Sequence, residues 1–170
     1  KSKTLIKYIE SSSALLKTVI DSGNIERFKI SKDVFKNDLD LSSYLVGIAF
    51  RKSNQSFYKT TPALALELAH PAVFSNLECL KKIITLSEGQ YLKHAPHLFK
   101  NKKFTKMVFE LFDKQVIYEV ENLPKEVRLV LDSYHIKNNY SKFFNSYQLQ
   151  NNLNNKLEEN PSIKVKKPKI

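Results

Sequence analysis

Glycine is nearly missing from this chain, with 3 residues in 170. Tight turns and hairpins draw on glycine because it reaches positive φ at little steric cost. A fold of many short strands is therefore disfavoured, and helices joined by short polar turns remain. Gly23, Gly47 and Gly89 are also too scattered to build a phosphate-cradling or dinucleotide loop. No Gly-x-Ser-x-Gly elbow occurs. Cysteine is confined to Cys79, which excludes an intramolecular disulfide and fits a reducing compartment or the mitochondrial matrix better than secretion. No run approaches the ~18 apolar residues needed to span a membrane, and no signal-peptide core is visible. The chain begins at Lys1 and not Met, which leaves room for a processed or truncated N-terminus.

Apolar side chains are not lacking. They make up 42% of the residues, with 11 Phe and 8 Tyr, enough for a core in a domain of this length. Charge is strongly one-sided, at a formal +11. That speaks of partners and solubility and not of fold, and nucleic acid is the commonest partner of such a chain.

Apolar periodicity predicts helices almost throughout. Leu5, Tyr8, Ile9, Leu16, Val19 and Ile20 form a first amphipathic helix, closed at Asp21-Ser22-Gly23 with Gly23 free to take a left-handed cap. Ile25, Phe28, Ile30, Val34 and Phe35 form a second segment whose alternation also allows a short strand. Asp40 or Ser42 can cap a helix through Tyr44, Leu45, Ile48 and Ala49. Thr61-Pro62 opens the next helix and His70-Pro71 closes it. Asn76 caps a helix through Leu80, Ile83, Ile84 and Leu86, ended by Ser87-Glu88-Gly89. After a short piece broken at Pro96, the strongest pattern runs from about Lys102 to Val120 and covers more than one face, which predicts a central helix. Pro124 opens another, and a last one spans about Tyr140 to Leu157. The expected fold is all-α with about seven helices: an irregular bundle or a short stack of helical hairpins over residues 1–159, and an extended basic tail over 160–170. The tail has two prolines, four lysines and no acid, so it cannot build its own core.

Few residues suggest catalysis or metal. His94 and His97 pair around Pro96, but with Cys79 the only thiol the set falls short of four spaced zinc ligands. Two histidines in a basic turn are the simpler reading. Cys79, beside Leu80 on an apolar helix, reads as a buried structural thiol. His70 and His135 read as capping or packing residues, and Asp38 and Asp40 as a capping segment. No catalytic residue, metal site or cofactor is expected.

Basic features carry more information. No acid occurs from Gln90 to Phe109, while Lys93, Lys100, Lys102, Lys103 and Lys106 do. Cations in the first turns of a helix oppose its dipole, so stability does not explain them. A helix start rimmed by lysines, with free N–H groups, suits phosphate. The stretch from Ser133 to Leu157 also lacks acids. It interleaves Lys137, Tyr140, Lys142 and Tyr147 with asparagines, and aromatics beside lysines and amides suit single-stranded RNA. Phe143, Phe144 and Leu153 in the same stretch have core spacing. The tail adds Lys164, Lys166, Lys167 and Lys169.

These features predict a non-enzymatic RNA-binding protein or ribonucleoprotein component, with DNA as another candidate, other protein subunits as partners and no membrane span. The expected location is intracellular, in the mitochondrial matrix, nucleus or cytoplasm. Two other readings are an α-helical adaptor that holds an acidic protein and a helical piece of a larger enzyme.

Overall fold

Two serines sit in the middle of the most deeply buried helix of this protein, and their hydroxyls explain why the chain tolerates them there. The computed structural model describes residues 3–113, 122–137 and 149. Among these the secondary structure is entirely helical. Eight α-helices run in order: α1 (Lys3–Glu10), α2 (Ser13–Asp21), α3 (Ile25–Phe28), α4 (Lys32–Lys36), α5 (Leu39–Arg51), α6 (Pro62–Leu68), α7 (Leu77–Leu86) and α8 (Lys102–Asp113). Single 3-10 turns cover Pro71–Phe74, Gln90–His94 and Pro96–Lys100. A ninth helix, α9, spans 125–137. The chain divides into two compact units, Lys1–Arg128 and Leu129–Ile170. In the second, Leu131 is buried while Leu129 and Ile136 are exposed. The predicted helix over about 140–157 and the tail over 160–170 lie outside the described residues, apart from position 149, which is helical.

In the first unit α5 is the hub. It packs against α2, α4, α6, α7 and the turns Pro71–Phe74 and Gln90–His94. This is an irregular bundle, because a hairpin stack would confine each element to its chain neighbours. Leu41, Leu45, Val46, Ile48, Ala49 and Phe50 are all buried, so the helix is apolar around most of its circumference. Ser42 Oγ donates to Phe35 O at 2.6 Å and accepts from His70 N at 3.0 Å. Ser43 Oγ donates back to Leu39 O at 2.7 Å. Satisfied in this way, the buried hydroxyls avoid a penalty of about 1–3 kcal/mol each. Gly47 sets the crossing with α7. A Cβ there would lie 2.6 Å from Leu86 Cβ, so the two backbones approach as only glycine allows.

The predicted centre is therefore displaced. α8 buries one stripe, Phe104, Val108 and Leu111, and packs against α7 and the turn Pro96–Lys100. Its expected continuation through Val116 and Tyr118 lies outside the described residues. Three further differences have local causes. The first predicted helix is two, because Ser12 turns extended and its Oγ accepts from Leu15 N at 3.4 Å, restarting the chain as α2. The segment 25–36 is helical and not a strand. Lys29 in the left-handed region ends α3 and Ser31 caps α4. The cap of α5 is Asp38 and not Asp40 or Ser42, with Oδ1 accepting from Leu41 N at 2.9 Å.

Other signals hold. Thr61 caps α6 ahead of Pro62, Asn76 caps α7, and His70 Nδ1 accepts from Ala72 N at 3.0 Å to start the Pro71–Phe74 turn. Gly23 takes φ +69°, and the Tyr58 ring lies where its Cβ would be. Tyr58 closes this corner by donating its hydroxyl to Ile20 O at 2.9 Å, and burial raises its pKa. Lys52 Nζ donates to Asp21 O at 2.7 Å, while the Tyr44 hydroxyl meets the Asp21 carboxylate at 3.0 Å. Burial, and then that carboxylate, push Tyr44 up to about 12.

Candidate nucleic-acid interface

The acid-free stretch after α7 is built by burying Tyr91 and Phe104, with Phe99 half-buried between them. Glu88 and Gly89 both take left-handed φ, at 52° and 82°, which reverses the chain out of α7. Buried Ser87 donates to Ile84 O at 3.1 Å and accepts from Tyr91 N at 3.3 Å, holding the next turn in place. Tyr91, Leu92 and Ala95 face the core. The Tyr91 ring meets Phe50 of α5 edge-on at 5.1 Å, and the His94 ring lies 4.8 Å from the same Phe50. Burial raises the Tyr91 pKa. One turn later Phe99 packs edge-on against Phe104 at 5.3 Å, and Thr105 Oγ1 donates to Phe99 O at 3.0 Å.

With Tyr91 and Phe104 inside, the cations are left at the surface. Lys93 sits half-buried in the Gln90–His94 turn and Lys100 is exposed at the end of the Pro96–Lys100 turn. Lys102, Lys103 and Lys106 are exposed on the first turns of α8. Lys102 and Lys106 are four residues apart, hence about 6 Å along the axis on one side of the helix. The structure thus brings five of the predicted residues onto three consecutive elements. None of the five takes part in the ion pairs among the described residues, which are Lys17–Asp40, Lys82–Asp40, Lys32–Glu67 and Arg51–Glu88.

One part of the expectation does not hold. The start of α8 is not a set of free N–H groups, because Asn101 Oδ1 accepts from Lys103 N at 2.9 Å and from Phe104 N at 3.3 Å. Those two N–H groups are taken up by the cap, and ammonium charge faces solvent beside them. Of the other predicted residues, Lys137 is exposed on α9, in the second unit. Tyr140, Lys142, Tyr147, Lys164, Lys166, Lys167 and Lys169 lie outside the described residues.

Histidine and cysteine chemistry finds no assembled centre. His94 and His97 are both exposed, and the His94 ring leans on Phe50. Among the described residues no three His, Cys, Asp or Glu side chains come together as metal ligands. Cys79 is only half-buried and not sealed in the core. It lines an open groove of about 580 Å³ between α5 and α7, with Leu39, Asp40, Ser43, Lys82 and Leu86. No sequence signal marks this groove, since it joins positions some forty residues apart. Beside it Asp40 pairs with both Lys82 and Lys17, and the Lys82 ammonium, bonded to its carboxylate, holds Asp40 below the usual carboxylate range. Both ammonium groups also face the Tyr44 ring, at 6.0 and 5.3 Å from its centre. No helix among the described residues is long and apolar enough to cross a membrane. Compared with protein families, curated proteins and solved structures, the chain matches none.

Proposed function

We propose that this protein is a non-enzymatic RNA-binding domain, or a protein component of a ribonucleoprotein particle, that engages phosphates through Lys93, Lys100, Lys102, Lys103 and Lys106. One observation carries the reading: five lysines on consecutive elements, with no acid between 90 and 109 and no ion pair to any of them. Lysines at the start of α8 oppose its dipole by a few tenths of a kcal/mol each, so their placement gains the fold nothing. It gains a phosphate-bearing partner counterion release. In the second unit, Lys137 and the lysines of the tail are further candidates for phosphate contact, and Tyr140 and Tyr147 for base stacking. A single cysteine suits a reducing location such as the mitochondrial matrix, nucleus or cytoplasm.

The test is binding of the full chain to fluorescent RNA from about 50 to 200 mM salt. Tight binding with a steep log–log slope is expected. Replacing Lys102, Lys103 and Lys106 together by Gln should flatten that slope by about 2 on a single strand and nearly 3 on a duplex. An unchanged slope would remove these residues from the interface. A one-to-one protein complex that survives nuclease would replace the reading with that of an adaptor.

A further inference from the structure

We infer that the 93–106 patch is a sequence-blind contact for the phosphate backbone of a double helix and not a platform for unpaired bases; this rests on the nucleic-acid reading above. Binding of single strands without base pairing draws about 1–3 kcal/mol per base from stacking on exposed rings. Here the rings are spent on the fold. Tyr91 is locked edge-on against Phe50, Phe99 against Phe104, and the His94 imidazole rests on Phe50. The exposed rings on this stretch are two imidazoles, His97 and His94, and the second already leans on Phe50, which is a small stacking surface for a strand. Base-edge readers are equally few. Asn101, the amide best placed among the lysines, has its Oδ1 committed to capping α8. Five ammonium groups remain, whose main partner is phosphate and whose one base-edge partner is the O6/N7 pair of guanine.

Charge density then decides between strands. A duplex presents one phosphate charge per about 1.7 Å of axis, a single strand about half as many. Each full lysine contact changes log K by about 0.9 per tenfold change in salt on a duplex, against about 0.7 on a single strand. Over five contacts the difference is about one log unit, or about tenfold in affinity, at ~0.1 M salt. Duplex RNA and duplex DNA share this backbone chemistry.

The experiment compares the full chain with its Lys93→Gln, Lys100→Gln, Lys102→Gln, Lys103→Gln, Lys106→Gln variant on 20-mers of duplex RNA, duplex DNA and unstructured single-stranded RNA, each in two unrelated sequences. Helicity and melting temperature are checked first; these side chains are exposed or half-buried, so both should be kept. The variant should lose about tenfold more affinity for duplexes than for the single strand, with the two sequences of each probe alike. A loss confined to one duplex type would assign the backbone to RNA or DNA and keep the inference. An equal or larger loss on single strands, or a loss that follows sequence, would overturn it while leaving the nucleic-acid reading intact. No loss on any probe would overturn both.

Discussion

Among the described residues, the lysines that this fold ties down lie before Gly89, beside others there that stay exposed and unpaired. Before it, Lys17 and Lys82 converge on Asp40, Lys32 meets Glu67, and Lys52 reaches the carbonyl of Asp21. Those cations join elements far apart in the chain, and two of them flank the Tyr44 ring. From 90 to 109 there are five lysines and no acid, which is five of the eleven net positive charges in a stretch of twenty residues. None is paired, and three stand where the helix dipole disfavours them. A lysine that holds a fold together and a lysine kept for a partner look alike in composition. Their neighbours in space tell them apart.

The sharpest way to break this contrast is to remove the ring that joins the two regions. Phe50 is 2% exposed, and both Tyr91 and His94 rest on it. Phe50→Ala should cost about 3–5 kcal/mol by denaturant titration. Amide exchange should rise first at Gln90–His94, the turn that carries Lys93. Next in size is the α5–α7 crossing. Gly47→Ala places a methyl 2.6 Å from Leu86 Cβ and should lower stability by about 1–3 kcal/mol, with the lysine-dependent nucleic-acid affinity unchanged in the folded fraction.

Smaller effects separate the two kinds of lysine more cleanly. Asp40→Asn removes the shared partner of Lys17 and Lys82 and should cost about 0.2–1 kcal/mol at neutral pH, since the carboxylate is largely exposed. The Asp40 pKa is lowered in the fold, so its contribution is complete above the unfolded value of about 3.9 and is lost as the pH falls through the lower folded one. The difference between wild type and variant should therefore close below about pH 4. Smallest, and opposite in sign, is Lys102→Gln with Lys103→Gln. Relief of the dipole should raise stability by a few tenths of a kcal/mol per residue in a melting curve, while phosphate affinity falls.

Local signals were legible in the sequence because their physics is local. Thr61-Pro62, Asn76, His70-Pro71 and Gly23 act within a few residues, and the structure uses each as read. The centre of the fold was not. α5 is apolar around most of its circumference, so it lacks the single apolar stripe that makes α8 stand out. It becomes the hub because Phe35 O, His70 N and the Leu86 side chain arrive from elsewhere to satisfy Ser42 or fill the space at Gly47. The break between α1 and α2 was hidden by phase: Ile9 and Leu16 stay seven residues apart on one helical face across the polar run Glu10-Ser11-Ser12-Ser13, where the Ser12 cap divides the helices. Of the candidate site, the acid-free lysine run could be read directly. That Tyr91 and Phe104 point inward, and that Asn101 already occupies two N–H groups of α8, depends on packing against Phe50 and Phe99 and on a side-chain rotamer, which no spacing records.

Placement of charge, and not its amount, is the centre of this account. The most direct test sets two variants of equal net charge side by side on duplex RNA at ~0.1 M salt. One replaces Lys93, Lys100, Lys102, Lys103 and Lys106 by Gln. The other replaces five exposed lysines before Gly89 that also make no ion pair, Lys3, Lys7, Lys36, Lys59 and Lys81, by Gln. The account predicts that the first loses at least about 100-fold in affinity and the second only a few-fold. Equal losses would show that RNA responds to total charge alone, and would contradict the assignment of an interface to the turns between α7 and α8.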